Sequence, residues 1–188
     1  MELANKKEEW FDYCTQYFST VEINSTFYRP PGEFQVNAWI KKAKDKKGFE
    51  YSVKVPQFVT HKALVEGDKD RAIFWATSFE KTCVKPLAVA GLLGGVLFQL
   101  SPYFKNEGSA LDNLKDMLDA ISHQDFNYSV EFRHRSWLDE SNKEAETLEA
   151  LRERNVANVL IDGPGLHVGS EQTANHAYLR FHWRNYDI

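Results

Sequence analysis

The chain has 188 residues, of which 43% are apolar and 27% charged, with a formal net charge of −4. That mix describes a folded domain large enough to bury a core without disulfides or a structural metal, and it excludes disorder as the main state. The mild acidity excludes a global field that would draw the chain onto nucleic acid or an anionic membrane.

The N-terminus, Met1-Glu2-Leu3-Ala4-Asn5-Lys6, lacks the basic-then-apolar order of a signal peptide, and Cys14 and Cys83 are the only cysteines. A reducing cytoplasm is the expected location. The greasiest stretch, Pro86 to Leu100, is too short and too rich in glycine to span a bilayer.

In chain order the pattern alternates between helical and extended periods. Trp10, Phe11, Cys14, Tyr17 and Phe18 form one helical stripe. Cys14 on it reads as a buried small hydrophobe. Thr20 to Tyr28 is extended and closed by Pro30-Pro31-Gly32. A helix is predicted over 33–46, with Phe34, Ala38 and Trp39 inward, stopped by Gly48. A second strand spans 49–55. Asp68 then caps a long helix carrying Ile73, Phe74, Phe79 and Cys83, which Pro86 breaks or kinks.

A third strand covers 95–100. The next helix starts at Ser109 and Asp112, with Leu111, Leu114, Met117, Leu118 and Ile121 as its stripe. Strand four covers 128–133. Ser141 and Glu144 form a capping box for a helix bearing Ala145, Leu148 and Leu151. Strand five covers 157–162, before Gly163-Pro164-Gly165, and strand six covers 177–182. Strands separated by helix-length segments imply βα units and a parallel sheet.

Sorting each strand by parity separates two faces. One is apolar throughout: Val21 and Ile23, Val53 and Val55, Val96, Phe98 and Leu100, Val130 and Phe132, Val159 and Ile161, Leu179 and Phe181. The other carries Glu22 and Asn24, Ser52 and Lys54, Leu97 and Gln99, Glu131 and Arg133, Leu160 and Asp162, Arg180 and His182. A doubly wound sheet needs two apolar faces. One polar face suits a (β/α) barrel, helices outside and a pocket at the strand C-termini. Eight units take about 250 residues, so a chain with six visible strands is expected to be an incomplete TIM-type barrel, a single domain over 1–188 truncated at both ends.

The segments Thr20-Val21-Glu22-Ile23-Asn24-Ser25-Thr26-Phe27-Tyr28, Phe49 to Pro56, Gly95 to Pro102, Ser129-Val130-Glu131-Phe132-Arg133-His134-Arg135-Ser136-Trp137, Asp162, and Tyr178 to Asn185 stand in the order of a known family. In them the chain resembles the TIM-barrel proteins of domain-of-unknown-function family 72, called YecE-like. The resemblance implies strands two through seven of the family's barrel. The family's glycine-rich first strand and its eighth strand have no counterpart here, and Trp183 replaces a usual glycine. No common reaction comes with the family. Xylose-isomerase-like and endonuclease-like barrels share the fold, which says little about chemistry.

The polar face supplies the candidate chemistry. Glu22, Lys54, Glu131, Asp162 and His182 are the catalytic candidates, as acid–base groups or, for Lys54, as base or nucleophile. Asn24, Tyr28, Gln99, Arg133, Trp137, Arg180 and Arg184 are the substrate-binding candidates, the arginines as clamps for an anion. The expected ligand is a small polar or anionic molecule such as a sugar or phosphorylated metabolite, bound catalytically or by a noncatalytic binding protein. The bland alternative is an ion-pair network that only fixes the strands.

No cofactor is expected. Glu22, Glu131, Asp162 and His182 are suitable metal ligands, but the three basic neighbours compete with a cation. Nucleic acid is disfavoured by charge, although Phe27, Tyr28, Trp137 and Trp183 would stack bases if exposed. His61, His123, His167 and His176 read as solvated loop residues, and His134 as pointing away from the polar face.

Overall fold

The computed structural model describes residues 10–137, 142–162 and 171–181. Its elements are α1 (Trp10–Cys14), β1 (Thr20–Ile23), α2 (Ser25–Tyr28), α3 (Glu33–Ala43), β2 (Glu50–Lys54), α4 (Lys69–Phe79), α5 (Lys85–Val89), β3 (Leu93–Gln99), α6 (Ala110–Asp119), β4 (Tyr128–Glu131), α7 (Asn142–Arg152), β5 (Ala157–Asn158), β6 (Leu160–Asp162) and β7 (Leu179–Phe181). Two π-helical segments, Phe58–Ala63 and Glu80–Val84, and a 3₁₀ turn, Arg135–Trp137, join them.

The strands are parallel, in the order β1-β2-β3-β4-β5, with β6 and β7 as a second parallel pair. The expected α/β class and parallel pairing are therefore present, but the sheet is not closed into a barrel. The predicted fifth strand is two short ones. At Val159 the chain changes partners: its N–H donates to the Val130 carbonyl (3.0 Å), and the next N–H, of Leu160, donates to Tyr178 (2.9 Å). Two partners in one run turn the array through a corner, which brings β7 round toward β1.

The apolar parity lies against the helices. Val53, Val55, Val96, Phe98, Val130 and Val159 are all buried, each contributing roughly 1.5–3 kcal/mol relative to exposure. α6 buries Leu114, Met117, Leu118 and the following Ile121 as its period predicts. On β7 the expectation fails: Leu179 and Phe181 are exposed, because no helix among the described residues covers that strand.

Helix phases were harder to read. α3 buries Val36 and Ala43, with Trp39 and Ile40 packed beside them, an i, i+3, i+4, i+7 stripe. Phe34 is 90% exposed and Ala38 is also outward, contrary to prediction, because the sheet meets the neighbouring face. Among the described residues, the predicted N-terminal helix is helical over Trp10–Cys14. Phe11 alone reaches the core, edge-on to Phe49 and stacked on Tyr51, while Trp10, Tyr17 and Phe18 are exposed and Cys14 is only half-buried.

Asp68 caps α4 as expected, accepting from the Arg71 N–H (3.0 Å). α4 places Phe74 outside and buries Ala72, Ala76 and Phe79. The helix does not stop at Pro86. The regular α-helical bonding gives way at Glu80, and the π-helical segment Glu80–Val84 leads into α5, with Pro86 in its first turn. In α7, Ala145 is exposed while Leu148 and Leu151 are buried, and Ser141 lies outside the described residues.

That π-helical segment also carries a buried acid. Glu80 accepts from the Ser122 N–H (2.7 Å), the Ser122 hydroxyl (2.9 Å) and the Tyr128 hydroxyl (2.7 Å), and pairs with Lys85 at 3.0 Å. Burial pushes its carboxyl up, but these donors outweigh burial and hold it below its ordinary value. No helix among the described residues is long and apolar enough to cross a membrane.

Candidate functional site

The polar parity converges inside the curved sheet. Glu22 sits on β1, Lys54 at the end of β2, Gln99 at the end of β3, Glu131 at the end of β4, and Arg180 in β7. The ladder sets Glu22 beside Ser52 and Gln99 beside Glu131. From these places the side chains form one connected network. Lys54 Nζ donates to Gln99 Oε1 (2.6 Å), and Gln99 Nε2 donates to Glu131 Oε1 (2.8 Å). Arg133 Nη1 reaches the same oxygen at 3.3 Å. Arg180 forks, with Nη1 on Glu131 Oε2 (2.5 Å) and Nη2 on Glu22 Oε1 (3.0 Å). The Tyr178 hydroxyl donates to Glu22 Oε2 (2.6 Å).

Glu22 and Tyr178 are 156 positions apart in sequence. The seam between β1 and β7 is therefore bridged by side chains, and among the described residues no backbone ladder runs there. A cleft of about 430 Å³ opens there, between Thr20, Glu22 and Ser52 on one wall and Tyr178, Arg180 and Phe181 on the other. Gly95 lies beneath the bridge. The Tyr178 ring lies 3.4 Å from where a Cβ would stand at this position, an ordinary packing contact.

Glu131 is fully buried and its two oxygens accept from three side chains. A buried carboxylate is tolerated only with such compensation. Lys54 is 8% exposed, and among the described residues no carboxylate stands within ion-pair distance of it. Its amine has the neutral Gln99 carbonyl and lies 4.0 Å over the Phe27 ring. Burial, then the charge of Arg180, pushes the Lys54 amine below its ordinary value. Burial and the bond to Glu22 push the Tyr178 phenol up.

Of the sequence candidates, Glu22, Lys54, Gln99, Glu131, Arg133 and Arg180 come together. Asn24 and Tyr28 are exposed on and beside α2. Asp162 is exposed at the end of β6, and His182 and Arg184 lie outside the described residues, as do Trp183, His167 and Gly163-Pro164-Gly165. Trp137 is a correction: it is fully buried, its indole donates to the Phe104 carbonyl (2.7 Å), and it packs on Phe104 and Phe132. The 3₁₀ turn folds it back under the strand end, away from any ligand. Phe27 is also buried, so two of the four aromatics considered for base stacking are core residues.

Three histidines read as solvated have partners instead. His123 meets the Arg154 carbonyl (2.9 Å) and His176 the Tyr128 carbonyl (3.0 Å). His61, in the π-helical segment after β2, is half-buried edge-on to Phe27, with Nδ1 2.9 Å from Thr60 Oγ1. His61 and Tyr178 are the site members that sequence reasoning missed. Tyr178 lies inside the predicted strand 177–182, one residue before β7 in the structure, and shares parity with Arg180, and that was the available signal. His61 had none, because π-helical turns carry no periodic mark.

The His61 imidazole is held below its ordinary value, first by burial and then by the charges of Lys54 and Arg133. The folded state thus binds less proton here than the unfolded state. This favours folding above the unfolded value of about 6.5, and the benefit is lost as pH falls toward the lower folded value. Thermal melts from about pH 7.5 to 5.5 should show a declining midpoint, with a flatter decline in His61→Gln. Equal slopes in both proteins would contradict the assignment.

Among the described residues, no three His, Cys, Asp or Glu side chains gather as a metal-binding group. Glu22 and Glu131, both named above as metal ligands, are each engaged by Arg180.

Parallel strands under a helical coat, with a charged network on the opposite face, define an α/β domain whose candidate site lies where the strands end. The chain belongs to the family described as "Protein of unknown function DUF72", whose model matches residues 2–187. The resemblance carried by the Glu22–Tyr28 and Glu131–His134 segments is thereby borne out. A crystal structure of a DUF72 family protein from Thermotoga maritima is 28% identical with a TM-score of 0.78, over 97% of this chain and 68% of that one. A DUF72 family protein from Enterococcus faecalis is 20% identical with a TM-score of 0.77, over 96% of this chain and 71% of that one, a likeness of fold. No curated protein matches.

Proposed function

We propose that the parallel array is an incomplete (β/α) barrel and that its charged end binds a small anionic substrate, such as a phosphorylated sugar or related metabolite, for acid–base chemistry. One observation carries this reading. Arg133 and Arg180 converge on two carboxylates, Glu22 and Glu131, with Lys54 joined to them through Gln99, and among the described residues Lys54 and Arg133 keep donors to spare. Among the described residues, Arg133 makes a single 3.3 Å bond from a five-donor head and is one-third exposed, and Lys54 bonds a neutral oxygen and lies over the Phe27 ring. A network serving the strands alone would spend its donors on its own acceptors. Arginine forks match phosphate and carboxylate groups in two-point contacts. Polar groups at barrel strand C-termini belong to function in most such folds.

Calorimetric titration with glycerol 3-phosphate and with glycerol tests it. Saturable binding of the phosphate alone is expected, at least tenfold weaker in Arg133→Gln, with an unchanged melting curve because Arg133 lies at the exposed edge of the network. Absence of phosphate binding, or equal binding of glycerol, would overturn the reading.

A further inference from the structure

Resting on that anion site, we infer that Lys54 is a carbonyl-capturing amine, forming an imine with a small ketone or aldehyde whose anionic group is held by Arg133. The position is that of a nucleophile. Lys54 ends β2 inside the network, and its main chain is pinned by the Thr26 hydroxyl on the Lys54 carbonyl (2.6 Å). A lysine placed to neutralise Glu131 would touch it, but that carboxylate is occupied by Gln99, Arg133 and Arg180. Gln99 stands between the two, turning its carbonyl to the amine and its N–H₂ to the acid. Phe27 covers the amine from one side and limits water there. The lowered proton affinity noted above leaves more of the amine in its nucleophilic form near neutral pH.

The step balances within the site. Nζ attacks the carbonyl carbon, and the C=O π pair moves to oxygen, which takes a proton while Nζ gives one up. The C–O bond of the carbinolamine then breaks, and its oxygen leaves as water, with formation of C=N. The net exchange is carbonyl plus amine for imine plus water. His61, edge-on to the same Phe27 ring and with its proton affinity lowered by burial, is assigned to carry the proton from nitrogen to the departing oxygen.

The test is borohydride reduction with dihydroxyacetone phosphate, followed by peptide mass mapping, with glycerol 3-phosphate as the ligand lacking a carbonyl. The expected result is one adduct per chain on Lys54, at least tenfold above any other lysine, suppressed by excess glycerol 3-phosphate and absent in Lys54→Met. Acetic anhydride labelling of the wild type supplies a second readout that needs no variant: Lys54 should label at lower pH than the exposed lysines as a group. Binding of glycerol 3-phosphate with no adduct, or with adduct spread evenly over the lysines, overturns the imine and leaves the anion site standing. Failure of glycerol 3-phosphate to bind overturns the anion site itself.

Discussion

Glu131→Ala is expected to cost about 3–5 kcal/mol of unfolding free energy in urea titrations, the range for breaking a buried ion pair by removing one partner. The carboxylate is fully buried. Its removal leaves Arg180 Nη1 and Gln99 Nε2 facing an empty acceptor position, and removes the counter-charge of Arg133. Most of the loss is the penalty on these stranded donors. Pairing Glu131→Ala with Arg180→Met should therefore recover part of it, and the double-mutant cycle measures the coupling. Glu149→Ala on the outer face of α7 is the control: its 3.2 Å pair with Arg152 is exposed on both sides, so a change below about 1 kcal/mol is expected. A loss of that small size at Glu131 would mean the inner network is freely solvated, and the buried-site argument would fail with it.

Trp137→Ala should cost about 3–5 kcal/mol, the range for emptying a large aromatic site in a core. The indole fills the space between Phe104 and Phe132, with ring centroids 5.0 and 5.2 Å away. Trp137→Phe keeps much of that packing but strands the Phe104 carbonyl, a smaller cost of about 1–3 kcal/mol. The two substitutions also decide what Trp137 is for. As a packing residue it leaves glycerol 3-phosphate affinity in Trp137→Phe within about twofold of the wild type. A tenfold loss of affinity with an unchanged melt would restore it to the ligand site.

The inner and outer faces were legible because strand parity is a local property. Successive side chains alternate whatever the sheet packs against, so Val53 and Val130 could be assigned outward, and Lys54 and Glu131 inward, from spacing alone. Helix phase is different. An α-helix offers several partly apolar faces, and the surface it meets chooses among them. Phe34 and Ala38 looked as good as Val36 and Ala43 until the sheet was in place. The same holds for Trp10, Tyr17 and Phe18, whose spacing is helical although of this stripe Phe11 is the one packed against the core. Trp137 was misplaced because it follows a strand end, where the backbone leaves the pleat and parity no longer tells direction. Nothing local marks Glu80, because its donors, Ser122 and Tyr128, lie 42 and 48 positions away.

From its order of residues alone, the chain specifies parallel βα units, one apolar and one polar sheet face, and a candidate set centred on Glu22, Lys54, Glu131 and Arg180. Periods of two and 3.6 are properties of the backbone and need no partner to be read. The closure of the seam by Tyr178 and Arg180 on Glu22, the burial of Trp137, and the meeting of Lys54 and His61 at Phe27 belong to the tertiary structure. Each depends on where distant segments come to rest, and local pattern carries no record of that.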